Sequence, residues 1–91
     1  MPEITRLYKG LYDEFEVEVV FGTAEDISPR EAHTFEEFIF VAQGEIILTR
    51  SDKQAPERYG ASSFIHLPAG VEHVIDARET PTRLVIIHPD K

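Results

Sequence analysis

The stretch Glu31-Ala32-His33-Thr34-Phe35-Glu36-Glu37-Phe38-Ile39-Phe40-Val41-Ala42-Gln43-Gly44 sets carboxylates and an imidazole directly ahead of an apolar run. Glu31, His33 and Glu37 share odd parity with Phe35, Ile39 and Val41. Alternate side chains of an extended chain point to one face. If the chain is already extended at Glu31, the charged groups project with Ile39 and Val41 toward an interior. The opposite register turns Phe38 and Phe40 inward and leaves the carboxylates in water, the ordinary position for a glutamate beside a strand. This segment by itself leaves both registers open. Gln43-Gly44, between two apolar runs, reads as a tight hairpin in which glycine supplies a positive φ.

The period of two recurs along the chain, in runs at 15–21, 37–42, 45–50, 63–67, 72–76 and 83–88. All are rich in Val, Ile and Phe, which suit a pleated, half-buried surface. Turn chemistry separates them: Gly22-Thr23, Ser28-Pro29, a polar stretch at 51–60, Pro68-Ala69-Gly70 and Glu79-Thr80-Pro81. No amphipathic helix of useful length appears. The pattern predicts an all-β fold, and short strands joined by tight turns must hide their edges, so a closed or jelly-roll β-barrel is expected over an open sheet. The 91 residues show no break in composition. One domain over 1–91, with a core barrel at about 15–88, follows. A chain of this size buries only roughly 60–65% of its unfolded surface, so a homodimer that completes the thin core is expected.

Seventeen acidic residues against nine basic ones give a net charge of −8. The Lys and Arg residues are scattered singly, so phosphate backbones are repelled and nucleic acid is not an expected partner. The acidity reads as a solvated surface. Cysteine is absent, which removes disulfides and thiolate chemistry and fits a reducing, cytoplasmic setting. No apolar run approaches the roughly 20 residues that span a bilayer. Met1-Pro2-Glu3 lacks the basic and apolar regions of a signal peptide, and no membrane association is expected.

His73 follows the turn at Pro68-Ala69-Gly70 and shares parity with Val71, Ile75 and Ala77. It too projects with an apolar face. A lone histidine there is ordinarily a satisfied core or rim residue, but a second segment that also directs polar groups inward changes the reading. Two carboxylates inside a thin apolar barrel repel each other and lose hydration. A divalent cation relieves both penalties. Two neutral imidazoles and two carboxylates around it make a neutral cluster, a ligand set used by Zn, Fe, Mn and Ni.

These residues resemble the cupins. The family's first motif runs Gly, five residues, His-x-His, three or four residues, Glu, six residues, Gly; its second runs Gly, five residues, Pro-x-Gly, two residues, His, three residues, Asn. Here His33, Glu37 and Gly44 match the second His, the Glu and the closing Gly in spacing, and Pro68-x-Gly70-x-x-His73 matches the heart of the second motif. The chain departs from the pattern in four places. Glu31 stands for the first His, Glu25 for the opening Gly and Ala77 for the closing Asn, and Gly60 lies two residues too far from Pro68. The resemblance implies a jelly-roll barrel with a divalent metal ion held by His33, Glu37 and His73. Glu31 either completes the shell as another oxygen donor or swings out and leaves a facial triad with open positions.

His66 shares a face with Phe64 and Pro68 and reads as a surface or interface histidine, with a role behind the metal ligands as the alternative. His88 precedes Pro89 and is expected in solvent. Tyr59, Phe35, Phe38 and Phe40 are expected as plain core, a pocket lining being the other option. Three function classes fit. One is a metalloenzyme, dioxygenase- or isomerase-like, acting on a small oxygen-rich metabolite, with Glu31 the candidate base. Another is a non-catalytic module that binds a small ligand through the metal. The last is a barrel whose site no longer functions.

Overall fold

The computed structural model describes residues 3–9 and 15–89, and the parts of the expected 1–91 domain at 1–2, 10–14 and 90–91 lie outside them. Eight strands follow in order: β1 (Glu3–Lys9), β2 (Glu16–Gly22), β3 (Glu37–Gln43), β4 (Glu45–Arg50), β5 (Glu57–Gly60), β6 (Phe64–Leu67), β7 (His73–Ala77) and β8 (Thr82–His88). The six predicted runs coincide with β2, β3, β4, β6, β7 and β8 to within a residue at either end. β1 was not foreseen, and β5 rises from the end of the stretch read as a polar loop. β5 is a four-residue edge strand, Glu-Arg-Tyr-Gly, whose composition carries almost no strand signal. No helix among the described residues is long and apolar enough to cross a membrane.

The strands form two antiparallel sheets, ordered β1-β2-β8-β3-β6 and β5-β4-β7. They face each other as a jelly roll rather than closing into the continuous hydrogen-bonded cylinder that was one of the two expectations. Between them Ile39, Val41, Ile46, Leu48, Ile65, Leu67, Leu84 and Ile86 make the core, and Tyr59, Val71 and Ile75 pack against it. Ile39 and Val41 are fully buried, which settles the register of β3: the odd residues face inward. Phe38 and Phe40 therefore lie on the outer face, contrary to their expected place in the core. Phe38 stacks there on Phe64 and on His66.

Gln43-Gly44 is not a hairpin. Both edges of β3 are occupied, by β6 and β8, so β4 cannot pair with it. The chain instead crosses to the other sheet through a register shift at Val41/Gln43 and through Gly44 at φ +85°. A Cβ on Gly44 would lie 2.6 Å from Thr82 Oγ1 and 2.7 Å from the Pro81 carbonyl oxygen. Only glycine fits both the dihedral and the space.

The segment between β2 and β3 runs beside β7. Asp26 O accepts from Ala77 N, Ser28 N donates to Ile75 O, and Glu31 and His73 exchange a pair of backbone bonds at 3.2 and 2.9 Å. His33 O then accepts from Gly70 N at 2.7 Å. These bonds carry the first polar cluster of the sequence onto the second.

Candidate metal centre

Three strands and one edge segment bring the polar side chains to one end of the space between the sheets. Glu37 opens β3 on its inward face and is 4% exposed. Its Oε2 lies 3.5 Å from His33 Nε2, 3.6 Å from His73 Nε2 and 3.7 Å from His88 Nε2. None of these is a hydrogen bond, and Glu37 Oε2 and His88 Nε2 are buried without any hydrogen-bond partner. A buried acceptor left unpaired costs about 1–3 kcal/mol, so the arrangement asks for a positive centre among the donors.

Outer contacts fix how two of the rings point. His73 Nδ1 is 3.2 Å from Val71 O, and His88 Nδ1 is 3.1 Å from Glu16 Oε1. A carbonyl and a carboxylate only accept, so each ring carries its hydrogen on Nδ1 and, when neutral, turns a lone pair on Nε2 toward Glu37. Phe35 holds the remaining geometry. It stacks on His33 at 4.8 Å between centroids and meets His88 edge-on at 4.8 Å.

His33, Glu37 and His73 each offer a donor atom within 4.8 Å of the others, a set able to hold a metal ion. Donors about 2.1 Å from a tetrahedral ion stand ~3.4 Å apart, close to the 3.5 and 3.6 Å found from Glu37 to these two histidines. Glu31, like His88, stands outside that set. Its carboxylate is 46% exposed and lies 3.6 Å from His33 Nε2. Of the four residues singled out in the sequence, three converge in the interior and the fourth sits at the rim.

His88 overturns its expected exposure. It is 7% exposed and lies in a row across the inner face of the large sheet, with Glu16 opposite on β2 and Glu37 beside it on β3. Its parity with the buried Leu84 and Ile86 carried the signal. Burial by itself would lower the pKa of His88, but the Glu37 and Glu16 carboxylates on either side outweigh it and hold it above the ordinary imidazole value. Glu16 is fully buried, and Arg6 Nε lies 2.7 Å from its Oε2. Glu18, next along the inner face of β2, has its pKa raised by burial and by Glu16. Glu16, Glu18 and His88 form a second donor set, but Arg6 already supplies the positive charge there. His66 lies on the surface as expected, 2.8 Å from Glu36 Oε2.

The cluster opens into a cavity of about 670 Å³ between the sheets, whose wall is mostly apolar, with Val20, Ile46, Ile75 and Leu84 among its residues, and is interrupted by Glu18, Asp26, Ser28 and Thr82. Phe35 lines it, as the alternative reading of that residue had it.

The profile of the cupin domain matches residues 17–88. The chain belongs to the cupin family. Solved cupin structures share its fold. A cupin superfamily protein from Desulfitobacterium hafniense superposes with a TM-score of 0.88 at 13% identity, over 100% of this chain and 79% of that one. The cupin domain of Schizosaccharomyces pombe Cnp3 gives 0.86 at 20% identity over 99% and 65%. The polyketide cyclase RemF from Streptomyces resistomycificus gives 0.82 at 20% over 99% and 66%. At these identities the likeness is one of fold. No curated protein matches the sequence.

Proposed function

We propose that this cupin holds one divalent metal ion through His33, Glu37 and His73 and uses it to bind, and to act upon, a small oxygen-rich metabolite. The observation that carries the reading is Glu37 Oε2, buried and without a hydrogen bond, with imidazole nitrogens around it at the mouth of an apolar cavity. The ion, Zn, Fe, Mn or Ni by its donors, would supply Lewis acidity toward a chelated oxygen, or dioxygen chemistry if iron. The chain's own part is to fix the donors, to exclude water with the wall around Ile46 and Leu84, and to present Glu31 at the rim. That carboxylate is exposed and next to His33, placed to accept a proton from a ligand entering the cavity. Dioxygenase- or isomerase-like turnover suits this arrangement.

The competing reading is a non-catalytic module that captures its ligand through the same ion. The cavity favours it to the extent that, beyond the donors, its wall is largely apolar.

Elemental analysis of untagged protein tests the metal. Near-stoichiometric metal is expected in the wild type and is expected to disappear in His73→Ala. A wild type that carries none, and whose melting temperature ignores added Zn, Fe, Mn and Ni, sinks the proposal. Incubating the loaded protein with oxygen and a panel of vicinal diols and diketones separates the two roles: product marks an enzyme, saturable binding without product marks the module.

A further inference from the structure

We infer that His88 is the fourth protein ligand of this centre, in the place that Glu31 would take by its position in the first motif. The inference rests on the metal reading above and concerns which residues complete it.

His88 Nε2 is one of two buried side-chain atoms without a hydrogen-bond partner among the described residues, and the other is Glu37 Oε2, 3.7 Å away. With its hydrogen held on Nδ1 by Glu16, the neutral ring directs a lone pair at an oxygen that also has only lone pairs to offer. Two acceptors facing each other in a buried space call for a positive charge between them, and a metal ion serves Glu37, His73 and His88 at once where a proton on one ring serves a single pair. His73 meets Glu37 in the same way, at 3.6 Å and with its Nδ1 held by a carbonyl. Both rings thus turn Nε2 toward one carboxylate oxygen, and because His88 lies outside the 4.8 Å set of His33, Glu37 and His73, its ring closes on the centre as the ion binds.

The support behind His88 is that of a ligand rather than of a packed core residue. Glu16, on the neighbouring strand, takes the Nδ1 hydrogen on Oε1 and the Arg6 guanidinium on Oε2. A carboxylate behind a metal-bound imidazole orients the ring and raises its basicity, and Arg6 balances the carboxylate's own charge. Glu31 has none of this. Its side chain is half in solvent, and its contact with the cluster is the one at 3.6 Å to His33.

Exchanging a carboxylate for an imidazole changes what the site attracts. Three neutral imidazoles and one carboxylate leave a divalent ion with a net charge of +1, where two of each would leave it neutral. The open positions then favour an anionic oxygen ligand, a carboxylate or an enolate, and Glu31 stays free at the rim.

The test is to add Zn(II) to the uniformly ¹⁵N-labelled chain and follow the imidazole nitrogens through long-range ¹H–¹⁵N correlations. At one equivalent, Nε2 of His33, His73 and His88 is expected to move into the metal-bound range while His66 stays. If His33 and His73 move and His88 does not, the inference is overturned and the metal reading stands. If no ring moves, the metal reading itself falls. This arm needs no variant. In parallel, His88→Gln is expected to weaken Zn(II) binding roughly 100-fold or more, beyond the usual loss for a residue behind a ligand, with Glu31→Gln within about threefold of wild type. The reverse order overturns the inference.

Discussion

Glu16 and His88 face each other across β2 and β8, their Oε1 and Nδ1 3.1 Å apart, and both are almost wholly buried. The pair joins the cluster around Glu37 to Arg6 on the adjacent strand. Glu16→Gln keeps an oxygen for the His88 hydrogen but removes the charge behind the ring. Zn(II) affinity, measured by competition with a chromophoric chelator, is expected to fall about tenfold. Unchanged affinity would show that the charge of Glu16 does not act on the cluster through His88.

Where His88 is neutral, the unpaired Glu37 oxygen is a cost that the proposed ion would remove. Glu37→Gln replaces an orphaned carboxylate oxygen with an amide that can donate to His73 or His88 Nε2. Chemical denaturation of the metal-free variant at about pH 8.5, where imidazoles are largely neutral, is expected to show stability equal to wild type or higher by about 1 kcal/mol. The rise in melting temperature on adding Zn(II) is expected to vanish. A variant that is less stable without metal contradicts this account of Glu37.

Gly44 and Gly70 both have positive φ, +85° and +84°, but differ in surroundings. A Cβ on Gly44 meets Thr82 and the Pro81 carbonyl at under 3 Å, while one on Gly70 meets nothing within 4 Å. Gly70→Ala is expected to cost about 1 kcal/mol, for the dihedral alone. Gly44→Ala adds a collision with backbone and is expected to cost about 3 kcal/mol, a fall of roughly 15 °C in a domain this size. Equal losses would mean that the crossing between the sheets yields more easily than its geometry indicates.

Arg50 is buried at the end of β4 and pairs bidentately with Asp52, Nε to Oδ1 at 2.5 Å and NH2 to Oδ2 at 2.8 Å. That hydrogen bond holds the Asp52 carboxyl below the usual aspartate range. A carboxyl whose pKa is lowered by folding contributes stability that is complete above its unfolded pKa, about 3.9, and lost as pH falls through the folded value. Asp52→Asn is therefore expected to melt below wild type at pH 7, with the gap narrowing as the pH falls below the unfolded value. A gap constant with pH would locate the effect elsewhere than in the ionised pair.

The sequence left the register of β3 open, since Phe38 and Phe40 are as apolar as Ile39 and Val41, and it carried His73 through the turn that Pro68 and Gly70 build. It carried β5 poorly, since Glu57-Arg58-Tyr59-Gly60 is an edge strand with little apolar alternation. Glu16 could not be read from local pattern. In β2 the residues facing the cavity are Glu16, Glu18 and Val20, and the valines at 17 and 19 face outward, so the usual rule of apolar side inward points the wrong way. What places Glu16 inside is its partnership with Arg6 and His88, residues remote in sequence. His88 was legible by its parity with Leu84 and Ile86, but the adjoining Pro89 argued for solvent. Glu31 was placed by a motif position, and its backbone bonds to His73 are real, yet its side chain turns to the rim.

β8 lies between β2 and β3 in the large sheet and is the last of the eight strands. Its central place has a kinetic meaning. The pairings on both its edges close long loops, and such non-local contacts form late and slowly. The polar row of Glu16, His88 and Glu37 cannot assemble until that strand has taken its place between its neighbours. That row closes a topology already complete, and loosening it would leave the order of assembly unchanged while hastening the first step of unfolding.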